Sequence, residues 1–206
     1  VTVNAGVSVS AADLNTISAK TTATIDALGS TAINGSAADV AAALADTEIT
    51  HSSTFDVTLT ATAAAATAIT AIDAATTKVV DGNLVTTLTG TAAQIAAAAT
   101  LDANGTTTLK ADFGATVDAG AVNASDLNTI SAQTTATVVA TAATAINGSA
   151  ADVATALADT QISHTNTFDV TLTATAAAAT ALTAIDTATT KVVDGNLVTT
   201  LTGTAA

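Results

Sequence analysis

The chain has no cysteine, proline, methionine, tryptophan or tyrosine, and its aromatic residues are three phenylalanines, Phe55, Phe113 and Phe168. Without cysteine it has neither a disulfide framework nor thiol chemistry. With so few bulky side chains, a core built around large aromatic residues is excluded. The buried surface must instead come from many small contacts among Ala, Val, Ile, Leu and the methyl groups of 47 threonines. Small side chains of this kind suit layers of backbone that stack closely.

Positive charge is also scarce. Four lysines and no arginine stand against 17 acidic residues, which gives a formal net charge of −13. Nucleic-acid phosphates need Lys and Arg, and anionic lipid needs a basic patch, so neither partner is expected. The uncharged runs 82–101 and 134–151 are interrupted by Thr, Asn, Gln or Gly. We therefore predict no membrane insertion.

What the chain does contain is a long internal repeat. Residues 54–61, Thr-Phe-Asp-Val-Thr-Leu-Thr-Ala, recur unchanged at 167–174. Two further segments recur with the same offset, namely 34–40 at 147–153 and 78–83 at 191–196. Self-similarity at a fixed period is typical of solenoids and arrays.

The repeat predicts the domain organisation. We expect one continuous repeat array over 1–206, with a first large repeat at 1–114 and an incomplete second at 115–206. An enzyme needs one asymmetric pocket, whereas this chain makes the same surface twice. The repetition therefore favours a structural role and predicts that the protein is not an enzyme.

Helix-start motifs recur within each large repeat. A Ser, Thr or Asn three residues before an Asp or Gln is typical of an N-cap, because its side chain accepts a hydrogen bond from a free backbone amide. The predicted caps are Ser10, Ser36, Thr91, Asn123 and Ser149, with weaker examples at Thr62 and Thr175. In the first repeat the predicted helices are 11–19, 37–45, 63–75 and 92–100.

Thr- and Val-rich strands are predicted between the helices, at 23–26, 55–60, 84–89 and 106–109. The strand at 55–60 alternates plainly, with its apolar side chains on one face. The predicted structural core is therefore Phe55, Val57 and Leu59, with their counterparts Phe168, Val170 and Leu172. Turns are predicted at 34–35, 81–83 and 104–105, where Asn, Asp and Gly cluster.

A strand–helix unit of about 28 residues, four to each large repeat, predicts an α/β solenoid. Its crossovers are expected to be right-handed, and its strands to stack in parallel ladders at ~4.8 Å. The alternative is a β-helix whose helical segments are only short turns.

The segments 14–24, Leu-Asn-Thr-Ile-Ser-Ala-Lys-Thr-Thr-Ala-Thr, and 33–40, Ile-Asn-Gly-Ser-Ala-Ala-Asp-Val, carry a pattern that returns from Leu127 and from Ile146. With this pattern the chain resembles Thr/Ala-rich repeats of very long bacterial extracellular surface proteins of cyanobacterial type, described as haemolysin-like or S-layer-like. The resemblance implies export and a place at the cell surface, and it carries over no catalytic residue. The Gly-Gly-x-Gly-x-Asp calcium motif of many haemolysin-like proteins is missing from this sequence.

The two histidines, His51 and His164, are counterparts in the two repeats, and neither has a second histidine nearby in sequence. Ser52, Ser53 and Asp56 could be assembled with His51 into a catalytic triad only if the fold brought them together. The second repeat has Thr165 and Asn166 at the serine positions. We therefore predict that the histidines are ordinary repeat residues.

Calcium is the metal that the acidic turns would suit, because carboxylate and amide oxygens are hard donors. The candidate ligands are weak, since Asp and Asn also occur in turns for conformational reasons and none of the segments matches an EF-hand loop. They are Asp81, Asn83, Asp102, Asn104, Asp118, Asp194 and Asn196. No cofactor is predicted, with calcium left open.

The predicted function is a structural subunit or segment of an extracellular bacterial filament, sheath or surface layer, and the expected partner is the protein itself, as further copies or as adjacent repeats of the same chain. A repeated surface favours contacts that propagate, and open sheet edges favour stacking. The first alternative is a rod-like spacer of a giant adhesin, stiffened by calcium. The second is an ice-binding protein that uses outward threonines, for which the candidates are Thr58, Thr60, Thr86, Thr87 and 106–108.

Overall fold

A computed structural model describes residues 1–203, so the last three residues of the predicted second repeat lie outside the described residues. Strands and helices alternate along the chain and the strands pair in parallel, which places the protein in the α/β class. The helices in this part of the chain are α1 (Ala11–Ser18), α2 (Ala37–Ala45), α3 (Ala66–Ala75), α4 (Ala92–Asn104), α5 (Ala124–Gln133), α6 (Ala150–Ala158) and α7 (Ala179–Ala188).

The strands are short, between two and six residues. Those of the first half are β1 (Ser8–Ser10), β2 (Ile25–Asp26), β3 (Ala32–Gly35), β4 (Ile49–Thr50), β5 (Asp56–Leu59), β6 (Ala63–Ala65), β7 (Val80–Gly82), β8 (Thr87–Gly90) and β9 (Thr107–Leu109). Those of the second half are β10 (Gly114–Val117), β11 (Gly120–Asn123), β12 (Val138–Val139), β13 (Ala143–Gly148), β14 (Ile162–Ser163), β15 (Asp169–Leu172), β16 (Ala176–Ala178), β17 (Val193–Asp194) and β18 (Thr200–Thr202).

The chain divides into two compact units. The first comprises Val1–Leu88 and Ala97–Phe113, and the second Thr89–Ala96 with the chain from Gly114 onward. In the first unit the main sheet has the order β1-β3-β5-β7-β9, and β2 pairs with β4. Along the inner face of the main sheet, one residue of each strand is in register with the next, in the order Val9, Ile33, Val57, Val80 and Thr107. The steps along the chain are similar in length, and the last, from Val80 to Thr107, is the longest.

In the second unit the main sheet has the order β11-β13-β15-β17. A second group of strands places β12 between β10 and β14, and β16 pairs with β18. Helix α6 packs between α5 and α7. The strand register is the same as in the first unit. The paired positions there are Val122, Ile146, Val170 and Val193, and the numbers of residues between them equal those between Val9, Ile33, Val57 and Val80.

The residues predicted to form the core are buried. Phe55, Val57 and Leu59 are each 1% exposed, as are their counterparts Phe168, Val170 and Leu172. Period-two alternation explains this arrangement, because every second side chain of a strand lies on the same face of its sheet. Each unit therefore places such a phenylalanine and a row of β-branched residues in its interior.

The Ser-x-x-Asp motifs begin helices as expected. Ser10, Ser36 and Ser149 stand at the N-caps of α1, α2 and α6, where each hydroxyl oxygen accepts the amide of the Asp three residues later. Thr91 and Gln94 form a reciprocal capping box at the start of α4, with bonds of 3.3 and 3.0 Å. Asn123 differs. It occupies the N-cap of α5, but its side chain accepts no hydrogen bond from the first turn, and its Nδ2 donates instead to the Asp126 carboxylate at 3.3 Å.

The helix predicted over 63–75 is shorter than expected. Residues 63–65 form β6, and α3 begins only at Ala66, whose N-cap Ala65 has no side-chain hydrogen bond. The carbonyl of Thr62 accepts the amides of Thr86 and Thr87 at 2.8 and 3.0 Å. In the second repeat the carbonyl of Thr175 accepts the amides of Thr199 and Thr200 in the same way. Pairing with a neighbouring strand here outweighs the helix propensity of an alanine run.

Other elements also depart from the sequence prediction. Asn34-Gly35 is not a turn but the end of β3, in register with Thr58 and Leu59. Asp81 and Gly82 belong to β7, and α4 extends to Asn104 instead of ending at residue 100. The step between paired strands, 24 residues from Asn34 to Thr58 and from Asn147 to Thr171, is shorter than predicted. The strands are also shared among several sheets instead of one stacked ladder.

Length and hydropathy decide whether a helix can cross a membrane. In the part of the chain that the structure describes, every helix falls short of the length and apolar character that a membrane span needs.

Candidate functional site

The face of each main sheet that carries polar side chains is the most extended candidate surface. In the first unit Ser10, Asn34, Thr58, Asp81 and Thr108 follow one another in register, and all are partly or fully exposed. We call this set the outward row. Its counterpart in the second unit consists of Asn123, Asn147, Thr171 and Asp194.

Asparagine side chains connect neighbouring strands of the outward row. Asn34 Oδ1 accepts the Thr58 backbone amide at 3.1 Å, and Asn34 Nδ2 donates to the Ser8 hydroxyl at 2.6 Å. In the second unit the Asn147 side chain accepts the Thr171 amide at 3.2 Å. These bonds reinforce the ladder where the side chains stack, so the outward row contributes cohesion between strands.

The composition of the outward row bears on the ice-binding alternative. Ser, Asn, Thr, Asp and Thr occupy successive strands, so no regular threonine array runs across this face. Among the candidate threonines, Thr107 lies on the opposite face, where it is 1% exposed and donates to Asp73 at 3.0 Å. Thr106 and Thr108 are exposed and Thr58 is half-buried.

The calcium candidates lie at separate places on strands, on a helix and in turns, and several of them accept hydrogen bonds from backbone amides. Asp81 Oδ1 accepts the Asn83 amide at 3.1 Å and its Nδ2 at 2.8 Å, and Asp194 accepts the Asn196 amide at 3.0 Å. Asp102, near the end of α4, accepts the Leu109 amide at 2.7 Å. Asn104 ends α4, and Asp118 is exposed between β10 and β11. Among residues 1–203 no three His, Cys, Asp or Glu side chains come together as a metal site.

The two histidines pack against the core phenylalanines. The ring of His51 meets Phe55 edge-on, with centroids 5.3 Å apart, and His164 meets Phe168 at 5.5 Å. His51 Nδ1 lies 2.9 Å from the Ser52 carbonyl oxygen and Nε2 3.4 Å from that of Leu44. The Ser52 hydroxyl lies 3.3 Å from that of Thr54. The imidazole therefore faces backbone carbonyls and an aromatic ring, an arrangement that supports the corner after β4.

Sequence analysis missed a hydrogen-bonded group between neighbouring strand–helix units. The Ser18 hydroxyl, at the end of α1, donates to Asp46 Oδ2 at 2.6 Å, and Asp46 Oδ1 accepts the Glu48 amide at 2.9 Å. The Ser18 hydrogen bond, followed by that of the Glu48 amide, holds the pKa of Asp46 below its usual range. The partners are 28 residues apart, which no short motif reveals.

This group predicts a measurable pH effect. Replacing Ser18 with alanine removes the main cause of the lowered pKa, so NMR titration should show the pKa of Asp46 rising toward its ordinary value. A carboxyl whose pKa is lower in the folded than in the unfolded state stabilises the fold at pH values above its unfolded pKa. This stabilisation is lost as the pH falls from about 4 through the folded-state pKa. Ser131→Ala is the matched control, because Ser131 binds Asp159 in the other unit at 2.6 Å. A pKa of Asp46 that responds equally to both substitutions would contradict the assignment.

Counterpart residues of the two repeats make the same contacts. Thr76 donates to the Phe55 carbonyl at 2.8 Å, and Thr189 to the Phe168 carbonyl at 2.7 Å. The Asn15 side chain donates to the Asp39 backbone carbonyl at 3.0 Å, and Asn128 donates in the same way to Asp152 at 3.1 Å. The chain thus builds one local arrangement twice. Comparison with protein-family models, curated proteins and solved structures gave no match for this chain.

Proposed function

We propose that this protein is a structural subunit or segment of an extracellular bacterial filament, sheath or surface layer, and that its strand–helix units form a right-handed α/β solenoid. The observation that carries the proposal is the duplication of contacts, since the bonds of Ser18, Ser36 and Thr76 all recur in the second unit. A chain that repeats its interior and its surface distributes cohesion along its length. The resemblance to bacterial surface repeats supports the extracellular location.

The regular strand steps support the solenoid. Register advances by equal steps from β1 to β3 and from β3 to β5, and by the same amount from β11 to β13 and from β13 to β15. Each step includes one helix, which is the connection that parallel strands require. The buried side chains of these steps are mostly Ala, Val, Ile and Leu, which suits closely stacked backbone.

The exposed edge of the first unit supports assembly. Strand β1 lies at the end of its sheet and has the sequence Ser-Val-Ser, with neither the lysine nor the proline that usually protects an edge. An edge strand of this kind is open to pairing with another strand. A contact between unlike surfaces of identical chains does not close on itself, so it propagates.

Negative-stain microscopy of the purified 206-residue chain tests the proposal. We expect filaments or sheets with a regular spacing, and we expect Ser8→Lys, which places a charge on the exposed edge strand, to suppress them. Ser125→Lys, on the exposed surface of α5, is the control and should assemble normally. Monodisperse short particles under all assembly conditions would contradict the filament proposal.

A chelator experiment separates the proposed fibre from the adhesin spacer. Thermal unfolding of the metal-free fibre should be unchanged by chelator, because Asp81, Asp102 and Asp194 already accept backbone amides. A large calcium-dependent rise in Tm would favour a calcium-stiffened spacer instead. Thermal hysteresis in the same preparation would favour ice binding.

A further inference from the structure

The second unit carries an open apolar groove of about 520 Å³. We call it the terminal groove. Leu201 is 65% exposed on it, and Leu182, Val193 and Val198 are partly exposed. The residues that line it include Leu172, Leu182, Asp186, Val193, Val198 and Leu201.

The same positions of the first repeat are covered. The counterparts of the four partly or largely exposed residues are all 0% exposed, and they are Ile69, Val80, Val85 and Leu88. The sequence at these positions is nearly the same in both repeats, so the difference lies in what covers the surface. Burial of the same apolar side chains in one repeat indicates that the groove is built to be filled.

Strand β9 lies beside β7 in the first unit and fills the space next to Gly82. Gly82 is in register with Leu109, and a Cβ added to Gly82 would lie 3.0 Å from the Thr108 carbonyl oxygen and 3.2 Å from Leu109 Cδ2. At the counterpart Gly195, an added Cβ would meet only Leu172 and Val198, at 3.9 Å. Among residues 1–203, the space that β9 fills beside β7 is therefore open beside β17.

A polar contact marks the same position. In the first unit the Thr107 hydroxyl, 1% exposed, donates to Asp73 Oδ1 at 3.0 Å. The counterpart of Asp73 is Asp186, which lines the terminal groove and is exposed. The Val80 amide also donates to the Thr106 carbonyl at 3.0 Å, and its counterpart Val193 stands on β17 at the edge of its sheet. The groove thus offers an acceptor and a strand edge as well as apolar surface.

We propose that the terminal groove binds a helix–strand segment with the chemistry of residues 97–109, whose strand lies parallel to β17. Its leucine fills the apolar space beside Gly195, and a threonine hydroxyl donates to Asp186. The occupant is one further repeat segment of this kind, not a small molecule, because the first repeat shows which side chains fit the surface. This inference concerns the local packing and stands apart from the proposed extracellular role.

Extension of the chain tests the inference. Residues 204–206 have the same sequence as 91–93, so a second copy of residues 94–113 appended after Ala206 continues in the expected register. We expect exchange of the Val193 amide, followed by NMR, to become at least about tenfold slower in the extended chain, because the amide gains a strand partner. The Val80 amide, which already has its partner, reports that the parent fold is intact.

Two variants make the test specific. An appended copy carrying Leu109→Asp should leave Val193 exchange at the level of the unextended chain, because a charge cannot fill the apolar space. Asp186→Ala in the extended chain should reverse part of the protection, since it removes the acceptor for the appended threonine. Unchanged Val193 exchange on extension, with Val80 still protected, would overturn the proposal. Protection of Val193 in the unextended chain that rises with protein concentration would also overturn it, by showing that a second copy fills the groove.

Discussion

Replacing Phe55 with alanine is expected to lower the free energy of unfolding by about 3–5 kcal/mol, since the change removes a large buried ring and leaves a cavity. Phe55 is 1% exposed, and its ring packs edge-on against His51. The side chains of this protein are mostly small, so few are long enough to fill the space. Urea unfolding followed by far-UV circular dichroism measures the effect, because the chain has no tryptophan to report by fluorescence.

The repeat supplies its own comparison for this substitution. Phe168 has the same 1% exposure and the same edge-on histidine, so Phe168→Ala should cost a similar amount. Phe55→Leu is the conservative control and should be the milder change, because it keeps most of the apolar volume. A loss below about 1 kcal/mol for Phe55→Ala would contradict a close-packed interior at this position.

The second large effect is a difference between two identical substitutions. Leu88→Ala is expected to lower the free energy of unfolding by about 2–5 kcal/mol, whereas Leu201→Ala should change it by less than about 0.5 kcal/mol. The residues are counterparts in the repeat, but Leu88 is 0% exposed and Leu201 is 65% exposed. The sequence context of the two leucines is the same, so the difference arises only from what covers them.

The same measurement serves both variants, and the extended chain of the groove experiment adds a third comparison. There Leu201→Ala should become more costly, because the appended segment is proposed to cover the groove that Leu201 lines. Equal effects for Leu88→Ala and Leu201→Ala in the unextended chain would show that burial at these positions does not control stability.

Local patterns predicted the elements whose causes lie within a few residues. The caps at Ser36 and Ser149 follow from a hydroxyl three residues before an aspartate amide, a geometry that the first helical turn imposes. The core face of β5 follows from alternation at Phe55, Val57 and Leu59. Both depend on short-range geometry, so knowledge of neighbouring repeats was not needed.

Elements that depend on a neighbouring strand were predicted wrongly. Residues 63–65 have an alanine-rich sequence typical of a helix, but they form a strand, and the carbonyl of Thr62 just before them accepts amides from residues 86 and 87. Asn34-Gly35 has a turn-like sequence, but Asn34 uses its side chain to bridge Ser8 and Thr58 within a sheet. In each case hydrogen bonds between residues far apart in the sequence decided the conformation.

The sequence by itself determined that the chain carries a long repeat, that its core is made of small apolar side chains around a few phenylalanines, and where most of its helices begin. These properties depend on composition, on periodicity and on contacts within one turn. Only the tertiary structure decided the register of the strands, the Ser18–Asp46 bond and the exposure of Leu201 where its counterpart Leu88 is buried. The physical reason is that these features depend on which backbone lies alongside, and identical sequences acquire different surroundings when one has a strand on both sides and the other, among the described residues, on one side only.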